Sequence, residues 1–288
     1  NVLVARSVGA GQREEASQAV HTSILLSLVC GSALVVVGVA LARPLLEMMG
    51  TPADVIEMST VYMRIYFCGM PVIMLYNFGA AILRSVGDTK RPLYFLIVAG
   101  VVNVLLNLFF VIVLGMDVDG VALATVLSQA VSAGLIVLCL VRMEGPCRLN
   151  LKDLRIYKDK MIQIARVGLP AGLQGCVFSL SNVLIQSSVN SFGSVAMAGN
   201  TSASNIEGFV YTGMNAIYQT ALSFTSQNLG AGQYKRIGKV MRLCLTLVCA
   251  VGLSMGLAAY LFRQPLLSIY SSDPAVIQYG GMRMMFIC

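Results

Sequence analysis

Charged residues in this chain gather in short clusters, and between the clusters lie long apolar stretches almost free of charge. An α-helix needs roughly 20 apolar residues to cross about 30 Å of hydrocarbon. By that measure the pattern predicts seven complete spans, at residues 16–42, 58–83, 93–114, 121–141, 167–190, 205–227 and 243–262. Several are rich in Val and Ile, but runs this long without turn signals read as helices, the open element that satisfies its own backbone in lipid. The alternation that a barrel strand requires is missing. Arg43-Pro44 closes the first span before a short loop, Gly50-Thr51-Pro52-Ala53-Asp54, and Met116-Asp117-Val118-Asp119-Gly120 is a purely acidic turn. The uncharged run 167–206 is too long for one helix. Gly193, Gly199 and Asn200-Thr201-Ser202-Ala203-Ser204-Asn205 predict a break, with the next helix starting near Asn205. Residues 1–5 read as the last turns of an earlier span, and a span that opens at Pro274 stops at Cys288, so the sequence is expected to be truncated at both ends.

The same pattern repeats. Gly9-Ala10-Gly11-Gln12 returns as Gly230-Ala231-Gly232-Gln233, an offset of 221 residues, and Pro44-Leu45-Leu46 returns as Pro265-Leu266-Leu267 at that offset. Met63-Arg64 matches Met282-Arg283 two residues out of step. Six spans separate the two Gly-Ala-Gly copies, so both lie on one side and the repeat is parallel. The polar, basic stretch 142–166 marks the boundary, which divides the chain into an N-terminal lobe (1–145), a linker (146–165, with a short surface helix expected at 151–157) and a C-terminal lobe (166–288). The expected fold is thus an all-α polytopic membrane protein built as a parallel two-lobe repeat.

Composition agrees: 57% of residues are hydrophobic and 11% charged, with a mean hydropathy of +0.79. Of twenty Lys and Arg, only Arg43, Arg64, Arg263 and Arg283 fall outside the Gly-Ala-Gly side, which leaves sixteen there. The excess of basic residues places the Gly-Ala-Gly loops and the linker in the cytoplasm. The net charge of +7 is therefore topology rather than a nucleic-acid footprint, and Arg64, inside a span near its end, reads as snorkelling to the headgroups.

Candidate chemistry is sparse. Eight cysteines show no CxxC or Cys/His cluster, and Cys147 falls in the linker. His21 has no ligand-type neighbour and reads as an interface residue. Neither Gly-Ala-Gly copy nor Gly87-Asp88-Thr89-Lys90 carries a phosphate-loop pattern. No enzyme motif or cofactor site is visible. What remains are polar residues inside spans, which in lipid must face a partner or a cavity. Asn103 and Asn107 share a helix face. Ser179, Asn182, Gln186 and Asn190 form one stripe, and Glu207, Tyr211, Met214 and Tyr218 form another, with Asn215 beside it. Each stripe lines a cleft or packs against another helix. Ser204-Asn205-Ile206-Glu207 fits a capping box at a helix start; alternatively, Glu207 binds a proton or cation.

Taken together, the two Gly-Ala-Gly-Gln copies, Arg84-x-x-Gly87-Asp88-Thr89-Lys90-x-Pro92, Asn103-x-x-x-Asn107, Gly120-Val121-Ala122-x-Ala124-Thr125 and Gly168-Leu169-Pro170 resemble the multidrug and toxic compound extrusion (MATE) family. The resemblance covers essentially the whole chain. It implies a fragment of a twelve-helix protein of two six-helix lobes, running from the end of helix two into helix ten and lacking the first helix and the last two to three. The implied activity is export of organic cations or amphipathic drugs in exchange for Na⁺ or H⁺, by a monomer in the cell membrane that alternates access between its lobes. The resemblance also makes Asn103, Asn107 and Thr125 part of a cation site, to which Glu207 is a candidate addition, and makes Asn182, Gln186, Tyr211, Asn215 and Tyr218 cleft residues. A lipid-linked precursor flippase of the same superfamily, or a channel or receptor, is the alternative.

Overall fold

The computed structural model of the chain describes residues 1–48, 55–190 and 192–287. The expected loop at Gly50–Asp54 and the last position, Cys288, lie outside the described residues. The elements are α1 (Val2–Gly9), α2 (Arg13–Met48), α3 (Ile56–Cys68), α4 (Met70–Ser85), α5 (Lys90–Leu108) with a π-helical turn at Phe109–Val113, α6 (Val118–Arg142), a 3₁₀ turn (Leu151–Asp153), α7 (Lys158–Asn190), α8 (Ser194–Gly230), α9 (Tyr234–Leu261), α10 (Arg263–Ser268) and α11 (Pro274–Ile287). No strand occurs among the described residues.

The two Gly-Ala-Gly copies adopt the same local structure. Gly11 and Gly232 have φ of +69° and +68°, the left-handed conformation that ends a helix and that glycine adopts without a Cβ penalty. In each copy the next Gln N–H reaches back to the last turn, Gln12 to the Ser7 carbonyl at 3.0 Å and Gln233 to the Asn228 carbonyl at 2.9 Å. The sequence repeat is therefore a repeated helix stop.

The chain divides into two compact units, Asn1–Ile164 with Leu229–Gly232, and Ala165–Asn228 with Gln233–Cys288. In the first, Val4, Val20, Ile24, Ile82, Leu83, Ile136 and Leu140 form the core, and Cys147 and Leu149 of the linker are buried in it. The span expected at 58–83 is bent by 46° between α3 and α4, where Gly69 meets Pro71, the residue that cannot continue the backbone ladder. α2 approaches this bend closely because Gly31 has no side chain; a Cβ there would strike the Pro71 backbone. Gly230 is held in the same way, against the Arg6 carbonyl.

The stretch 151–157 forms a single 3₁₀ turn rather than the expected surface helix, and it is strapped to α2 instead. His21 is buried. Its Nδ1–H donates to the Ser17 carbonyl (2.7 Å) and its Nε2 accepts the Asn150 N–H (3.1 Å). The Tyr157 N–H donates to the Thr22 hydroxyl (3.2 Å), and Lys160, in the first turn of α7, pairs with Glu15.

The second unit corrects one expectation. α8 begins at Ser194, not near Asn205, and runs unbroken through Gly199 and the small polar residues. Those hydroxyls satisfy themselves on the helix's own carbonyls one turn back: Thr201 on Met197 (2.9 Å), Ser202 on Ala198 (2.9 Å) and Ser204 on Asn200 (2.8 Å). Ser204 is therefore mid-helix and its hydroxyl is directed backwards, so the Ser204–Glu207 capping box does not form. The break falls at Gly193, with φ +95°. Among the described residues five helices are long and apolar enough to cross a membrane, six with the bent pair. α8 is not among them, because polar residues are spread along its length, from Asn200 and Glu207 to Asn215 and Gln219. Packing in this unit centres on Ala203, Ile206, Ala259, Leu267 and Met284. α8 and α11 cross at backbone distance, since a Cβ on Gly199 would lie 2.8 Å from the Val276 carbonyl oxygen and 2.9 Å from the Gly280 nitrogen.

Candidate functional site

Two polar clusters lie inside the helices, one in each unit. In the first, α5 and α6 pack side by side and their polar faces meet. Asn107 Nδ2 donates to Asn103 Oδ1 (3.0 Å), Asn103 Nδ2 donates to Ser128 Oγ (3.3 Å), and Ser128 Oγ donates to the Thr125 carbonyl (2.8 Å). The relay leaves one group over: Asn107 Oδ1 is buried without a hydrogen-bond partner. Two residues on, at Phe109, the helix loosens into its π turn, a departure from regular geometry that recurs at functional sites. The expected residues Asn103 and Asn107 are thus brought together. Thr125 joins through its carbonyl, because its hydroxyl donates to Val121 on its own helix (3.0 Å). Ser128, buried between them, was not singled out by the sequence; its signal was its position three residues after Thr125 on the same face of α6.

In the second unit Glu207 of α8 is an ion-pair partner. Arg283 Nη2 of α11 donates to Glu207 Oε2 at 2.8 Å. Arg283 Nη1 donates to the Asn200 carbonyl (3.0 Å), to Asn200 Oδ1 and to Ser204 Oγ (2.5 Å). Asn200 is in turn oriented by its Nδ2, which donates to Gln186 Oε1 of α7 at 3.0 Å. Gln186 is thereby tied to this network, whereas Asn182, Tyr211, Asn215 and Tyr218 are exposed on α7 and α8. Arg283 was legible only as a repeat of Arg64, with no hint of its partner. Among the described residues no three His, Cys, Asp or Glu side chains could hold a metal ion.

Comparison with known proteins gives these clusters a context. The MatE family profile matches residues 1–109 and 170–288. The chain is 29% identical, over its whole length, to "Probable multidrug resistance protein YoeA" of Bacillus subtilis, and 26% identical over 95% of its length to "FAD transporter" of Shewanella oneidensis. It spans 63% and 62% of those two relatives. Among solved structures, "Crystal structure of MATE in the bent conformation" matches 99% of the chain with a TM-score of 0.85 and 25% identity, the chain covering 64% of it. "Outward-facing conformation of a multidrug resistance MATE family transporter of the MOP superfamily" has a TM-score of 0.87 at 24% identity, over 98% of this chain and 64% of that one. The all-α, multi-pass membrane fold read from the sequence is the fold of these structures, and the chain belongs to the MatE family.

Proposed function

We propose that this protein is a secondary active efflux transporter, monomeric in the cell membrane, that exports organic cations or amphipathic drugs in exchange for Na⁺ or H⁺. Its Gly-Ala-Gly loops and linker face the cytoplasm. The relatives named for multidrug resistance support the substrate class. The observation that carries the coupling is the orphaned Asn107 Oδ1. A buried carbonyl oxygen without a partner costs about 1–3 kcal/mol, and a hard cation that prefers oxygen ligands relieves that cost. Amides do not protonate near neutral pH, so the Asn103–Asn107–Ser128 cluster suits Na⁺, and Glu207 is the group suited to a proton. Irregular backbone beside the amides, as in the π turn, is how membrane transporters commonly free carbonyls for such ions. Alternating access then follows if ion and substrate favour different states of the two lobes.

The test is transport by the full-length protein in proteoliposomes. Ethidium is expected to move against an imposed Na⁺ gradient, and Asn107→Leu is expected to abolish Na⁺-driven movement while leaving the protein folded. A proton gradient forms the second arm, and FAD joins ethidium as a test substrate because one relative is named for it. No movement of either compound under either gradient removes the transporter reading. Movement driven by protons alone removes the assignment of Na⁺ to the first cluster.

A further inference from the structure

The Glu207 carboxylate, the one acid on α8, is already occupied by a cation that belongs to the chain itself. We propose that Arg283 is a specificity-determining residue, a tethered counter-cation that a transported cation has to displace from Glu207; this deepens the efflux reading and rests on it.

Three features favour this over a plain staple between helices. First, the guanidinium does not depend on Glu207 for its place. Nη1 is held by the Asn200 carbonyl, Asn200 Oδ1 and Ser204 Oγ, all on α8, and Asn200 is itself fixed by Gln186. When Glu207 turns to another cation, Arg283 keeps its neutral acceptors and remains nearby. Second, the pair is open to a ligand. The Arg283 and Glu207 side chains are 26% and 41% exposed, so the ion pair is not sealed in a core where exchange would require unfolding. Third, the backbone beneath it is fixed. Gly199 and Gly280 bring α8 and α11 into direct contact, one turn from Arg283 and about two turns from Glu207, and the buried Met284 anchors the residue next to Arg283. The exchange is thereby confined to side chains.

The consequence is selectivity. A small or diffuse monovalent cation gains one carboxylate and has to dislodge a bidentate-capable donor held close by, so it binds weakly. Removing the guanidinium unmasks the carboxylate. A staple behaves oppositely, because its loss loosens the site and weakens any ligand there.

The experiment is equilibrium binding of tetraphenylphosphonium, a permanent lipophilic cation without a titrating group, to the full-length protein in lipid nanodiscs. Arg283→Gln is expected to bind it about tenfold more tightly than the wild type, the order of one charge-assisted contact. Glu207→Gln should bind it no more tightly than the wild type, and the double variant should match Glu207→Gln alone. Unchanged or weaker binding by folded Arg283→Gln overturns the proposal, as does a gain that survives in the Glu207→Gln background. Should Arg283→Gln not fold, Asn200→Asp offers the guanidinium a second carboxylate at nearly the same volume. It should tighten binding severalfold only when Glu207 is present, and the absence of that gain is equally fatal. Transport by the wild type separates the two levels: export with Arg283-insensitive binding sinks this inference alone, whereas the expected binding pattern without export sinks only the transporter reading.

Discussion

The two polar clusters solve the same problem in opposite ways. The α5–α6 cluster is neutral, built of two amides and a hydroxyl, and ends in an oxygen with nothing to accept. The α8–α11 cluster is charged, and its carboxylate already has a guanidinium on it. In a low-dielectric setting a neutral site carries only the cost of its orphaned oxygen, which an oxygen-coordinated ion would relieve, while a charged site is tolerable only when paired. On the proposed reading the first would receive an ion and the second would exchange one. The exchange proposed above would use both behaviours, because binding of one cation would be coupled to departure of another.

The largest expected effect tests the frame of the charged cluster. Gly199→Ala places a Cβ against the Val276 carbonyl and the Gly280 nitrogen and should cost about 2–3 kcal/mol, the upper range for overpacking. A Cβ on Gly208, on the same helix, meets nothing, so Gly208→Ala is the control, and equal melting temperatures for the two would mean the close crossing is not there. Next in size, Glu207→Gln leaves a guanidinium with neutral acceptors only. Because the pair is partly exposed, the loss should be about 1–2 kcal/mol rather than the larger cost of a sealed pair. Adding Arg283→Gln should return most of it in a double-mutant cycle, and strictly additive losses would deny the pairing.

The neutral cluster should respond to ions instead. Wild-type protein at Na⁺ ten times its Kd should gain about 1.4 kcal/mol of stability by mass action. Asn107→Leu should lose that gain while changing little without Na⁺, since it removes one orphaned oxygen but takes the donor from Asn103 Oδ1. Na⁺-dependent melting of Asn107→Leu equal to the wild type would contradict the site. A further effect sharpens the division between units. Cys147 is buried in the first unit, and burial pushes its thiol up to about 11 from an ordinary 9.0. The unfolded chain loses this proton first, so between about pH 9 and pH 11 the first unit should weaken with rising pH, by at most about 1.4 kcal/mol per pH unit. Thiol labelling of Cys147 in the folded protein should stay slow up to the top of that window. Glu207→Gln, in the other unit, should not accelerate it, and acceleration would show that the two clusters are energetically one. For the same reason sidedness is better read from the exposed neighbour, as Arg148→Cys, than from Cys147.

Spans, repeat and family were legible because they rest on features local in sequence: uncharged runs bounded by charge, and a helix stop that demands glycine at Gly11 and Gly232. The amide cluster was legible through the spacing of Asn103 and Asn107 on one face. The sequence misled at α8, where Ser204-x-x-Glu207 matches a helix-start motif. Which use a serine hydroxyl finds, the N–H ahead or the carbonyl behind, depends on whether the helix has already begun, and that was decided upstream at Gly193. Arg283 could not be assigned at all, because its partner is 76 residues away and the register of α11 on α8 is set by the Gly199–Gly280 contact rather than by any local pattern.

The linker has a mechanical consequence. Residues 143–157 look like a leash, long enough when extended to pay out roughly 50 Å. Yet Cys147 and Leu149 are buried, the Asn150 and Tyr157 N–H groups are tied to His21 and Thr22, and Lys160 is clamped to Glu15. Almost no slack remains, and the connection passes into the second unit as the shaft of a continuous α7. The strap therefore leads straight into a rod rather than into a free string. Pro170, inside that rod and unable to bond the Arg166 carbonyl, is its softest point.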